Sequence, residues 1–241
     1  MAVVLGAGST TPEPEEDPAA ALGLRGLRPL ARASRLACAA AAAALAHPAP
    51  PPAPAERCAV VLGTRFASIE PLVEFDRVAA VDGPALVNPS SFPNVVANAH
   101  AGYLGILFGL AGPNITLCGA DAGLESIALA LDLLELGRAD VVLAGGVESL
   151  GDALATGLRR TGVENAAEGA ALVLLGREGS GVALERAGDR LLDLAPRQPV
   201  ALGRDFGAAG GALAAVLAVD AAGRGAGPQR VGVGPDALLV L

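Results

Sequence analysis

Residues 112–150 read GPNITLCGADAGLESIALALDLLELGRADVVLAGGVESL, and the fold turns on how this stretch is parsed. Ile115 to Cys118 is a short β-rich run. Gly119 to Gly123 is an elbow of small residues that opens an apolar-periodic helix, and Val141 to Ala144 is a buried strand ending in Gly145-Gly146. Strand, elbow, helix and strand outline a βαβ unit. The elbow presents one side chain, Asp121, at a helix N-terminus, where unpaired backbone N–H groups and the helix dipole favour negative charge. Asp121 either carries chemistry or caps the helix, and the outline leaves both open.

The rest of the composition narrows the function. Over half of the 241 residues are apolar, yet aromatic residues make up only 2%, so the core must be built from Ala, Leu and Val at close approach, helped by 32 glycines. All 17 basic residues are arginine, which excludes lysine chemistry. A net charge of −8 argues against sequence-independent nucleic-acid binding, which relies on cations neutralising phosphates. Cys38, Cys58 and Cys118 have no metal-like spacing and read as reduced thiols of a cytoplasmic protein. No metal or cofactor motif is present. The Gly6-Ala7-Gly8 run after the first strand lacks a third glycine and a following helix, so it reads as a turn and not a dinucleotide loop. No apolar run reaches the ~18 residues of a spanning helix, and the first residues lack the basic start of a signal peptide.

In chain order, Pro29 opens a helix running to about Ala46, with Arg25, Arg28, Arg32 and Arg35 spaced at three and four. Arg32 and Arg35 at least share an exposed face, either a solvated surface or a docking patch for an acidic partner. HPAPPPAP at 47–54 is a polyproline spacer, and His47 in it is assigned no role. Cys58 to Leu62 is a buried strand. Residues 66 to 94 form a mixed, turn-rich segment, and Val95 to Leu110 is a buried helix whose His100 is a core residue. Ala167 to Gly176 and Gly181 to Arg186 read as a strand hairpin, Phe206 to Val219 as a glycine-led helix, and Val231 to Leu241 as a strand or hairpin. Alternating strands and helices make an α/β fold, with no linker that would divide it.

The segment from GPNITL to AGGVES resembles the β-ketoacyl synthase family of the thiolase fold. Gly112, Pro113 and Thr116 match its GPxxT, and Gly137, Ala139, Asp140, Ala144, Gly145, Gly146 and Glu148 match its G-x-AD-x-x-x-AGG-x-E. AVVLGTRFASI, NPSSFPNVVANAHAGYLGI and GRDFGAAGGALAAVLA are similar to flanking elements of the family. The resemblance implies one layered, thiolase-like domain over residues 1–241, with a complete N-terminal half (1–176) and an abbreviated C-terminal half (177–241).

The departures bear on function. By the resemblance, the family's nucleophilic cysteine falls on Asp121, and one of its two histidines falls on Arg204. The motif of the other histidine is missing, as is the lysine. Cys118, three residues before Asp121, lies in the strand and is a weak substitute. The chain therefore resembles the short chain-length-factor subunits of type II polyketide and polyene-type systems. These imply a heterodimer with a catalytic ketosynthase that meets acyl carrier protein indirectly, with Asn114, Ile115, Thr116, Leu117 and Cys118 as the contact strand. Two other readings stay open. One is a degenerate ketosynthase acting as a malonyl-carrier decarboxylase or acyltransferase. The other is a module binding a carrier protein or acyl chain through Arg28, Arg32 and Arg35.

Overall fold

A computed structural model describes residues 2–13, 16–22, 29–45, 53–179, 181–186, 208–224, 229–231 and 238–240. Arg25, Arg28, His47, residues 191–199 and Arg204 lie outside the described residues. The elements are β1 (Ala2–Thr10), α1 (Arg32–Leu45), β2 (Cys58–Thr64), α2 (Ile69–Arg77), α3 (Ala99–Phe108), β3 (Asn114–Cys118), α4 (Ala122–Glu135), β4 (Val141–Glu148), α5 (Asp152–Arg160), β5 (Gly169–Gly176), β6 (Ala183–Arg186), α6 (Ala208–Gly223), β7 (Gln229–Val231) and β8 (Leu238–Val240). The described strands form one mixed sheet in the order β3-β2-β4-β5-β1-β6-β8-β7.

The βαβ outline holds. β3 and β4 both run parallel to β2 and flank it, with α4 making the crossover between them. Strands buried on both faces read as continuous apolar runs and not as alternation, and β2 shows why. Val60 and Leu62 point to the face covered by α1 and α3, where Leu36, Ala40 and Leu104 pack. Val61 points to the other, covered by α4 and α6, with Ile127 and Ala212. Burying a side chain such as Ile127 contributes about 2–3 kcal/mol.

Four expectations are corrected or refined. Gly6-Ala7-Gly8 is no turn but part of β1, which continues to Thr10. Gly8 lies so close under α1 that a Cβ would stand 2.3 Å from the Ala40 carbonyl oxygen, so its use is helix–sheet contact. The helix expected from Pro29 begins at Arg32. Within the segment read as mixed and turn-rich, residues 69–77 form a helix, α2; Pro71 sits in its first turn, where its missing N–H costs nothing. Finally, β5 and β6 do not make a hairpin. β1 lies between them and pairs antiparallel with both, a long-range pairing that local sequence does not encode. The expected terminal hairpin is formed by β7 and β8.

Candidate functional site

The elbow stands at the C-terminal end of β3, beside the ends of the parallel strands β2 and β4. It is held there by packing. The Gly119 N–H donates to the Thr64 carbonyl at 3.1 Å, which ties the elbow to the end of β2. The first residues of α4 press on Gly63, where a Cβ would come within 2.2 Å of the Ala122 carbonyl. Inside α4 the buried Ser126 hydroxyl lies 2.8 Å from the Gly123 oxygen and 2.6 Å from the Gly145 oxygen, joining the helix to β4. Gly145, at φ +157, faces the Ala171 carbonyl of β5 too closely for any Cβ.

Asp121 occupies the position just before α4. Its carbonyl accepts from the Leu124 and Glu125 N–H groups at 2.9 and 3.0 Å, but its side chain is exposed and makes no capping hydrogen bond. Of the two roles left open, capping is not served by the side chain, and what remains of it is the backbone geometry and the dipole. Cys118, at the end of β3, is exposed. The Asn114–Cys118 strand pairs with β2 along one edge only and lies at the margin of the sheet among the described strands.

Two buried carboxylates have structural roles that sequence reasoning did not assign. Glu148, 3% exposed, accepts from the Thr64 hydroxyl (2.7 Å), the Arg65 N–H (2.7 Å) and the Phe66 N–H (3.0 Å). Burial pushes its pKa up, opposed by those hydrogen bonds. Its place in the AGG-x-E motif was legible, but its work is to fasten the loop after β2. Glu168 receives the Arg32 guanidinium, from Nε at 2.8 Å and also from Nη2, and accepts the Leu150 N–H at 3.2 Å. Arg32 also donates to the Glu16 carbonyl at 2.7 Å, and Arg35 donates to Asp17 at 3.0 Å. The arginine face expected to be free is thus engaged within the chain at Arg32 and Arg35.

His100 is a core residue, as expected, with 0% exposure. Its Nε2 lies 3.0 Å from the Ser68 hydroxyl, which donates to the Val96 carbonyl, and its Nδ1 lies 2.8 Å from the Ser34 hydroxyl. With the Ser68 proton used on Val96, Nε2 must carry the imidazole hydrogen and Nδ1 must accept from Ser34. Burial pulls the His100 pKa down to about 4, so it is a weak base near neutral pH and does not activate Ser68. Among the described residues no cluster of three His, Cys, Asp or Glu side chains could hold a metal ion, and no helix is long and apolar enough to cross a membrane.

Comparison with known proteins places this geometry. A family model for the N-terminal domain of β-ketoacyl synthases matches residues 16–164. The chain is 38% identical over 96 residues to 3-oxoacyl-[acyl-carrier-protein] synthase 2 of Vibrio cholerae, and 34% identical over 96 residues to nodulation protein E of Rhizobium leguminosarum bv. trifolii. These alignments cover 39% of the chain but only 23% and 24% of the relatives, so the chain aligns with about a quarter of the length of the curated relatives it matches. Among solved structures, the ishigamide ketosynthase/chain length factor superposes with a TM-score of 0.65 at 22% identity, over 78% of this chain and 68% of that one. A chain from the complex of a ketosynthase with its chain length factor from Xenorhabdus doucetiae superposes with a TM-score of 0.63 at 16% identity, over 99% of this chain and 98% of that one. These likenesses establish a thiolase-like layered fold, and the match over residues 16–164 establishes that the chain belongs to the β-ketoacyl synthase family.

Proposed function

We propose that this chain is a non-catalytic, chain-length-factor-like partner of a catalytic β-ketoacyl synthase in polyketide or fatty-acid-like polyene biosynthesis, and that it shapes the acyl tunnel within a heterodimer. The observation that carries the reading is the elbow itself. Gly63, Ser126 and Gly145 hold the turn and α4 in place, but the side chain presented is an exposed carboxylate. A carboxylate accepting an acyl group would form a mixed anhydride, far more labile than the thioester that a Claisen condensation needs. His100 precedes the elbow in the chain and is bound between two serines.

The β3 edge supports the pairing half of the proposal. A margin strand with unpaired backbone groups invites another strand, and Asn114–Cys118 is the strand that the elbow continues. The decarboxylase reading draws no support from Asp121, whose negative charge would repel a malonyl carboxylate. The carrier-module reading loses two of its three arginines to internal pairs.

Co-expression with a cysteine-bearing β-ketoacyl synthase tests the proposal. A 1:1 complex by light scattering is expected, with aggregation when the chain is made alone. A stable monomer that condenses acyl units by itself would contradict it.

A further inference from the structure

β1 is paired along the whole of one side and along only a fraction of the other. β5 lines it over Val3–Thr10. On the other side β6 pairs with Ala2 and Val3, and the last bond runs from the Val4 N–H to the Val182 carbonyl at 2.8 Å. From Leu5 onward no described strand takes that side of β1. The ladder against β5 is irregular between Val4 and Gly6, the step at which β6 departs, and regular from Gly6 to Thr10. In a regular antiparallel strand, alternate residues turn both N–H and C=O to the same side. Gly6 to Thr10 therefore hold evenly spaced backbone groups toward the gap.

The gap is a groove of about 690 Å³ and not a flat margin. Leu5 to Ser9 run along its floor, and Gly181 and Val182 bound it where β6 begins. Ala43 of α1 stands on one wall, and Val216 and Val219 of α6 on the other. α1 and α6 cover opposite faces of the sheet. An open strand edge with a helix layer on either face has the cross-section of a missing strand.

Chemistry, charge and shape select the occupant. A purely apolar chain would bury the edge of β1 and leave its N–H and C=O groups without partners, which is costly. An extended polypeptide meets them with its own backbone, as in strand addition. The lining carries one acid and one base, Asp220 and Arg224, which pair with each other. A charged side chain in the groove would find no free counter-ion, so the matching segment is uncharged. The two helix layers admit a single free strand and not the margin of another folded sheet. β1 of a second copy is flanked by the same helices and does not fit.

We propose that the outer side of β1, from Leu5 to Thr10, is a docking groove for an extended, uncharged segment of a partner polypeptide, which adds a strand to the sheet between α1 and α6. The site is separate from the β3 edge. β2, β4 and β5 lie between the two, which sets them about 19 Å apart at the ordinary strand spacing. The inference therefore does not rest on pairing with a ketosynthase, and the groove stays free in a heterodimer formed along β3.

The test uses the chain in its soluble form, alone or co-expressed with a cysteine-bearing β-ketoacyl synthase, the latter alone being the blank. Three probes are titrated: a capped peptide of alternating valine and threonine, its fully N-methylated twin, which keeps the side chains and loses every N–H, and dodecanoate. The peptide is expected to bind and to slow hydrogen exchange at alternate amides of Gly6–Thr10, and the twin to bind at least about tenfold more weakly. A Cβ at Gly223 would meet only Val182 Cγ2, at 3.9 Å, so Gly223→Phe grows into the groove from an open position and should weaken the peptide about tenfold. Leu217→Gln, on the same wall at a position 40% exposed, is the milder variant, and circular dichroism checks the fold of both. No binding of the peptide, or equal binding by the twin or by dodecanoate, overturns the proposal. Amides of Gly6–Thr10 already protected in the free chain at every concentration make the chain its own occupant, and protection that rises with chain concentration makes it a second copy; either result overturns the choice of partner.

Discussion

Residues 63–68 and the outer side of residues 69–106 follow one another in the chain and are packed differently. Around the first, the main chain is tightly held: Gly63 admits no Cβ against α4, and Glu148 gathers Thr64, Arg65 and Phe66 onto a buried carboxylate. Around the second, Leu86, Phe92 and Ile106 stand in solvent, and a Cβ at Gly102 would meet nothing within 4 Å. The contrast separates what the chain needs in order to fold from what folding leaves in solvent. The elbow keeps the shape of a reaction site through packing that is independent of the side chain it presents. The neighbouring segment leaves Leu86, Phe92 and Ile106 in solvent instead of burying them.

Substitutions can break or sharpen the contrast. The largest effect is expected at Gly63→Ala, whose Cβ collides with main-chain atoms of Ala122 and not with a side chain that could turn away. A loss of about 3 kcal/mol or more in urea unfolding is expected, and a loss under 1 kcal/mol would mean the elbow is not held by this contact. Next is pH. The His100 pKa lies at about 4 in the folded chain against an ordinary 6.5. Between those values the unfolded chain takes up a proton that the folded chain refuses, so stability is full above about pH 6.5 and falls as pH drops toward 4. The full fall is about 3 kcal/mol, and His100→Gln should remove that slope from the pH profile.

Glu148→Ala leaves the N–H groups of Arg65 and Phe66 without their acceptor, and a cost of about 2–3 kcal/mol is expected. In the open region the sign reverses. Gly102 is inside α3 with free space around it, so Gly102→Ala should stabilise the chain by about 0.5–1 kcal/mol. The smallest effect belongs to Asp121→Ala. With no capping hydrogen bond to lose, a change of about 0.5 kcal/mol or less is expected, where a bonded cap would cost about 1 kcal/mol.

The β2–β3–α4–β4 core was legible because buried parallel strands leave unbroken apolar runs and an elbow needs small residues at fixed spacing. β1 was read too short because Gly6 and Gly8 suggest a turn; only the alanines of α1 resting on Gly8 explain why glycine sits inside a strand. The insertion of β1 between β5 and β6 was not legible, since that pairing joins residues 2–10 to residues 170–184, far apart in the chain. α2 was hidden by its brevity and by Pro71. At the site, the position of Asp121 was readable and its unbonded side chain was not. Glu148 and Glu168 were missed as anchors because carboxylates are ordinarily surface residues and, Leu150 apart, their partners lie 82 to 136 positions away.

If the elbow is scaffold and the chain works only beside a ketosynthase, as proposed, activity must depend on both chains. The direct measurement is acyl elongation by the co-purified complex with wild type, with Asp121→Ala, and with either chain alone. Elongation is expected to need both chains and to proceed at an unchanged rate in Asp121→Ala. Elongation by this chain alone, abolished by Asp121→Ala, would contradict the account.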